Sequence, residues 1–178
     1  VTVSAPRLRL FFALWPDDAA RAPLARYAGA AHAACGGRLM RPQNLHFTLA
    51  FLGDTEAGRL EALLGAAAGV EPRRFAIEVD RVEYWRHNRI VWAGASIVPD
   101  ALAALVAELR AALDAGEFGY DARPFVPHVT LLRAASSRVN GCFIRSASAI
   151  GMPGPRSRTS TIAARPSGRT RSATSRPA

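Results

Sequence analysis

Arg41-Pro42-Gln43-Asn44-Leu45-His46-Phe47-Thr48-Leu49 and Arg123-Pro124-Phe125-Val126-Pro127-His128-Val129-Thr130-Leu131 are two versions of one pattern, Arg-Pro-x-x-x-His-x-Thr-Leu. A pattern repeated at fixed offsets suggests two similar half-structures facing one another. Each lead-in proline biases the residue before it towards extended backbone and marks where a strand begins. Successive strand side chains point to opposite faces, so His46 and Thr48 share one face, as do His128 and Thr130. Two such strands, one per half, put two histidines and two threonines into one cleft. Phe47, Leu49 and Phe51 are expected on the other face, packed under a helix.

Working outward, residues 7–15 read as a buried first strand. Asp17 or Asp18 can cap a helix that runs to about Cys35 and stops at Gly36-Gly37. Residues 45–52 give the second strand, and Asp54 or Thr55 opens an Ala/Leu-rich helix ending near Gly69. Residues 73–82 and 89–95 read as two strands joined by a polar turn at His87-Asn88. Pro99-Asp100 opens a helix over 101–115, with Leu102, Leu105, Leu109 and Leu113 at helical spacing. Residues 126–133 form the last strand. The order βαβαββαβ, with one hairpin, indicates an α+β fold with helices on one side of antiparallel or mixed sheets.

The chain has 178 residues and a net charge of +9. Lysine is absent, and the 23 basic residues are all Arg. Residues 1–133 carry 15 Arg against 14 acids, whereas residues 134–178 carry 8 Arg and no acid. The basic balance therefore belongs to the tail. The tail also lacks Leu and is rich in Arg, Ser, Ala, Thr and Pro, so disorder is expected there. The domain division is a core over 1–133 and an atypical tail over 134–178. The all-Arg, no-Lys composition with abundant Ala, Gly and Pro raises the hypothesis that the tail comes from a shifted reading frame in a GC-rich gene. A clean, uninterrupted frame on re-sequencing around codon 134 would sink it. No stretch approaches the roughly 20 apolar residues that span a bilayer. Two cysteines, Cys35 and Cys142, make no disulfide framework and favour a reducing cytoplasm.

A histidine near its ordinary pKa can take or give a proton at neutral pH. Two of them opposed across a phosphodiester can do both, one removing a proton from the attacking water and the other protonating the leaving oxygen. The threonines can hold the non-bridging oxygens, and an Arg can neutralise the charge that develops there. This chemistry needs no metal or cofactor, because the leaving group is protonated rather than coordinated. The remaining histidines have no such context: His32 lies on an Ala-rich helix and His87 in a solvated turn. Trp15 reads as core, and Trp85 as the better candidate for stacking on a base. Arg41 and Arg123 suit either strand entry at the surface or contact with phosphates.

His46-Phe47-Thr48-Leu49 and His128-Val129-Thr130-Leu131 resemble the motifs of the two-histidine (2H) phosphoesterases. The context at 41–53, the run His128 to Arg133, and Phe11-Phe12-Ala13-Leu14 are similar to the RNA 2′,3′-cyclic phosphodiesterases, also called 2′-5′ RNA ligases. The resemblance covers about residues 7–133. It implies a two-lobed, pseudo-symmetric fold with a central cleft, and hydrolysis of an RNA 2′,3′-cyclic phosphate to a 2′-phosphate. It also implies reversible 2′-5′ ligation, as of tRNA halves. A monomer is expected. By the resemblance His46 is the proton donor and His128 the acceptor, with Thr48, Thr130 and Arg133 on the phosphate. A regular strand, however, puts Arg133 on the face opposite His128, so that role needs a twist or bulge. The alternatives are the same fold acting on another cyclic or 2′-5′ phosphodiester, and a catalytically impaired RNA-binding protein with a basic tail.

Overall fold

The computed structural model describes residues 6–135 and 163–164. Strand β1 (Arg7–Leu14) leads into helix α1 (Asp18–Cys35). Asp17 caps that helix, its carboxylate accepting from the Ala20 amide at 2.8 Å. Gly36, at φ 63°, ends it by donating to the His32 carbonyl. There follow β2 (Arg38–Leu39), a short 3-10 turn at Pro42–Asn44, and β3 (Phe47–Glu56). A second 3-10 turn at Ala57–Arg59 precedes α2 (Leu60–Ala68). The hairpin β4 (Arg81–Trp85) and β5 (Ile90–Gly94), helix α3 (Asp100–Ala115), β6 (His128–Arg133) and β7 (Ala163–Ala164) complete the described elements.

These strands join one antiparallel sheet in the order β4-β5-β6-β3-β1-β7, with β2 paired to β6 beside the seam. The order is symmetric about the β6–β3 junction, where the two halves meet through one residue pair, Phe47 and Val129. These are the residues that follow the two motif histidines. The repeat found in the sequence is thus a pseudo-twofold of the fold, with its axis at this pair.

The helices cover one face of the sheet. Buried Ala20, Leu24, Ala28, Ala31 and Cys35 make the inner stripe of α1, which lies against β6. Leu102, Leu105, Val106, Leu109 and Leu113 make that of α3, which touches β3 and α2. Each fully buried leucine contributes about 1.5–3 kcal/mol. Phe47, Leu49, Val129 and Leu131, all buried, supply the sheet side of this core. The opposite face of β3 and β6 is left to form a cleft.

One irregularity is repeated in both halves. Ala13 pairs with Thr48 and Phe12 with Ala50, so Leu49 has no partner on β1. Trp92 pairs with Thr130 and Val91 with Leu132, so Leu131 has no partner on β5. Both are β-bulges at the leucine of the His-x-Thr-Leu motif, and each reverses the facing of the residues after it. Burial records the reversal: Leu131 and Leu132 are both buried, and Arg133 is exposed.

Several sequence expectations need correction. Residues 73–80 form no strand, although Ile77 and Val79 are buried there; the strand is 81–85. Ile77 and Val79 belong to the buried core, which accounts for the apolar alternation, and only Asp80 at the end of the run reaches β5, donating to the Gly94 carbonyl at 3.0 Å. The helix expected from Asp54 or Thr55 begins at Leu60, because β3 continues to Glu56 alongside β1. Strand β2 has no counterpart among the expected elements. It depends on Gly37, at φ 88°, where a Cβ would lie 2.9 Å from the Arg133 carbonyl oxygen and from Ala135 Cα. Most of the 134–178 tail lies outside the described residues; Ala163 and Ala164 pair with Ala13 and Phe12.

Candidate active site

The register fixed by Phe47 and Val129, carried one residue to each side, sets His46 opposite Thr130 and Thr48 opposite His128. All four side chains line one open cavity of about 750 Å³. Arg133 lines it as well, because the Leu131 bulge turns it to the face of His128 and Thr130. The twist that the sequence required is therefore present. The Leu49 bulge acts in the same way on Phe51, which lines the cavity instead of packing under a helix as expected. Phe51 and Arg133 hold the same place in the repeat, so the bulges deliver a ring on one side and a cation on the other.

Both histidines are held alike. His46 Nδ1 lies 2.7 Å from the Asn44 carbonyl oxygen, and His128 Nδ1 lies 2.7 Å from that of Val126. A carbonyl only accepts, so each Nδ1 carries the hydrogen. Each Nε2 is then the proton-exchanging atom. Burial pushes both pKa values below the ordinary histidine value, against the backbone hydrogen bonds, which raise them. The Arg133 charge lowers both further, and His46 is also lowered by His128, His128 by Arg123.

Aromatic rings cause much of that burial. Phe11 stacks on His46 with centroids 4.9 Å apart, and Trp15 lies 5.5 Å from it. Trp85 meets His128 edge-on at 4.6 Å, and Trp92 lies 5.9 Å away. Trp15 is half-buried beside His46 rather than a core residue, since the end of β1 runs alongside the start of β3. Trp85 is in the cavity wall, as are exposed His87 and Asn88. Gly94 makes room for Trp92: a Cβ there would collide with the Trp92 ring and sit 2.6 Å from the Pro127 carbonyl oxygen. Sequence reasoning gives Phe11 and Trp92 no place beside the histidines. Their pairing partners Phe51 and Thr130 on the motif strands are the signal that reveals them.

Arg133 stands near Arg38 and Arg9, and partial desolvation at the cleft wall, followed by these two charges, lowers its pKa. Arg9 itself lies over the Phe51 ring at 4.9 Å. Such a concentration of cations beside two imidazoles suits an anionic ligand. His32 is exposed on α1, away from the cavity, and Arg41 does not line it. Among the described residues no group of three or more His, Cys, Asp or Glu is placed to hold a metal, and no helix is long and apolar enough to cross a membrane.

Two imidazoles related by a pseudo-twofold across one cleft, each with its Nδ1 locked, define a two-histidine phosphoesterase arrangement. The chain belongs to the LigT-like phosphoesterase family. The family model matches residues 14–92, which include the first motif. Over 131 residues, 74% of this chain and 74% of the relative, it is 34% identical to the RNA 2′,3′-cyclic phosphodiesterase of Escherichia coli strain K12. The fold matches the crystal structure of E. coli LigT complexed with 3′-AMP with a TM-score of 0.67 and 31% identity, covering 84% of this chain and 80% of that one. A Thermus thermophilus protein matches with a TM-score of 0.61 and 26% identity, over 71% of this chain and 74% of its own.

Proposed function

We propose that this protein hydrolyses RNA 2′,3′-cyclic phosphate ends to 2′-phosphates, with no metal or cofactor in the chemical step. The observation that carries this reading is the Phe47–Val129 register, which faces His46-x-Thr48 and His128-x-Thr130 across one cavity. The relative 34% identical to this chain bears the name RNA 2′,3′-cyclic phosphodiesterase, which supports the substrate.

In the reaction, water attacks phosphorus from the His128 side, and His128 Nε2 takes its proton. His46 Nε2 gives a proton to the departing 3′ oxygen as the P–O3′ bond breaks. The products are a 3′-hydroxyl and a 2′-phosphomonoester, and solvent resets both imidazoles. Thr48 and Thr130 donate to the non-bridging oxygens, while Arg133 offsets their charge. Both Nε2 atoms are unprotonated at rest when the pKa values are depressed, so the donor acquires its proton as the anion enters and stabilises the imidazolium. A 5′-hydroxyl in place of water gives a 2′-5′ linkage by the same steps, which extends the reading to reversible ligation, as of tRNA halves. We place the protein in the cytoplasm as a monomer, a setting that two cysteines without a disulfide framework favour.

The test is an RNA oligonucleotide ending in a 2′,3′-cyclic phosphate, incubated with the protein in EDTA, with the product followed by phosphorus NMR. A 2′-phosphate is expected. A 3′-phosphate, or no turnover beside rapid turnover of a 2′-5′ diester or a 3′,5′-cyclic nucleotide, would contradict the assignment.

A further inference from the structure

The cavity carries more positive charge than the reacting group requires. A cyclic phosphate bears one negative charge, which Arg133 and the two threonines are placed to meet. The lining nevertheless contains four arginines, Arg9, Arg110, Arg123 and Arg133, and one carboxylate, Asp121.

Arg110 and Arg123 form a unit on the wall beside Phe51. Arg110 comes from α3 and donates from Nη2 to the Arg123 carbonyl at 2.8 Å, with its guanidinium 5.6 Å from the Tyr120 ring centre. Arg123 Nε lies 2.8 and 2.9 Å from the two Asp121 oxygens, yet 78% of its side chain is exposed. The Asp121 amide donates to the Phe51 carbonyl at 2.8 Å, which pins this loop to β3. Two cations thus share one acid on a fixed wall of the reaction cavity, and the proposed chemical step uses neither. The repeat adds a second observation. Arg41 and Arg123 hold equivalent places in the pattern, but only Arg123 lines the cavity. The pseudo-twofold is broken towards one side by charge.

We propose that Arg110 and Arg123 form a subsite for the phosphodiester one step along the RNA chain from the reacting cyclic phosphate. This rests on the hydrolytic reading above and adds that the protein selects a polynucleotide end over a free nucleoside cyclic phosphate. The linking phosphodiester carries a full negative charge and two free oxygens, which a guanidinium recognises by paired hydrogen bonds.

The experiment compares kcat/KM for a nucleoside 2′,3′-cyclic monophosphate and for a trinucleotide ending in a 2′,3′-cyclic phosphate, using the full chain and R110Q, R123Q and double variants. Thermal unfolding confirms that each variant is folded. The ratio of the two constants cancels any loss in the chemical step that both substrates share. The trinucleotide-to-monomer ratio should fall about tenfold in the single variants, as for loss of a charge-assisted hydrogen bond. The salt dependence for the trinucleotide should also flatten, by about 0.7 in log–log slope when one phosphate contact is lost. A ratio that falls less than threefold in the double variant overturns the subsite while leaving the hydrolytic reading intact. Wild-type failure on both substrates overturns both.

Discussion

Phe47 and Val129 pair across the centre of the sheet, and each directly follows a motif histidine. That one relationship determines where everything else in the cleft stands. It sets each histidine opposite the other motif's threonine. It also places the two bulges, at Leu49 and Leu131, symmetrically about the seam.

The pH profile should show two depressed pKa values. In the proposed mechanism one imidazole is protonated and the other is not, so kcat/KM for the free enzyme should peak between their pKa values. Both are lowered, burial being the main cause, which puts the optimum on the acid side of about 6.5, the ordinary histidine value. R133Q removes a cation that lowers both, so its optimum should move to higher pH while its rate falls. A profile measured for both proteins with the same substrate checks this; an unmoved optimum argues against Arg133 acting on the histidines.

Stability should fall on the acid side for the same reason. A histidine whose folded pKa is lowered binds fewer protons folded than unfolded, so stability rises with pH across that interval. The contribution is intact above about 6.5 and is lost as pH drops towards the folded values. Urea unfolding at pH 5 and pH 8 should show a smaller difference for H128Q than for the wild type.

The threonines separate binding geometry from proton transfer. T48V and T130V keep shape and remove a hydroxyl, and each should lower kcat/KM by about tenfold, the worth of a hydrogen bond to a charged group. Because His46 faces Thr130 and His128 faces Thr48, neither variant should displace the pH optimum by as much as R133Q does. Steady-state kinetics across pH measures both effects.

G94A tests the support behind His128. A Cβ at this position collides with the Trp92 ring and the Pro127 carbonyl. The expected loss is about 1–3 kcal/mol of stability, as for overpacking a filled core. A drop in kcat/KM should accompany it, since Trp92 and the strand start that holds His128 must both shift. Calorimetry and turnover on the same sample suffice, and unchanged values for both would show that the wall is yielding.

Much of the site could be read from the sequence because the repeat is local: Arg, Pro, His, Thr and Leu at fixed offsets define both the strand and its working face. Helices α1 and α3 were legible for the same reason, from caps and apolar spacing near each residue. What escaped depends on partners distant in the chain. The bulges at Leu49 and Leu131 arise only when β1 and β5 are laid alongside, so the cleft facing of Phe51 and of Arg133 is a property of pairs. Strand β2 exists because Gly37 lets the backbone approach Arg133 and Ala135. Trp15 has a core composition and a core-like neighbourhood in sequence, yet it ends β1 where β3 begins, beside His46.

The most direct test of the central claim is the rate of cyclic phosphate hydrolysis by the wild type, H46A, H128A and the double variant, in EDTA. If the two histidines work as one unit across the seam, each single variant loses about 10²–10⁴-fold, the usual worth of an acid or base. The double variant is then hardly slower than the worse single one, because groups that act together are not additive. A single variant that keeps near-wild-type turnover would contradict the account.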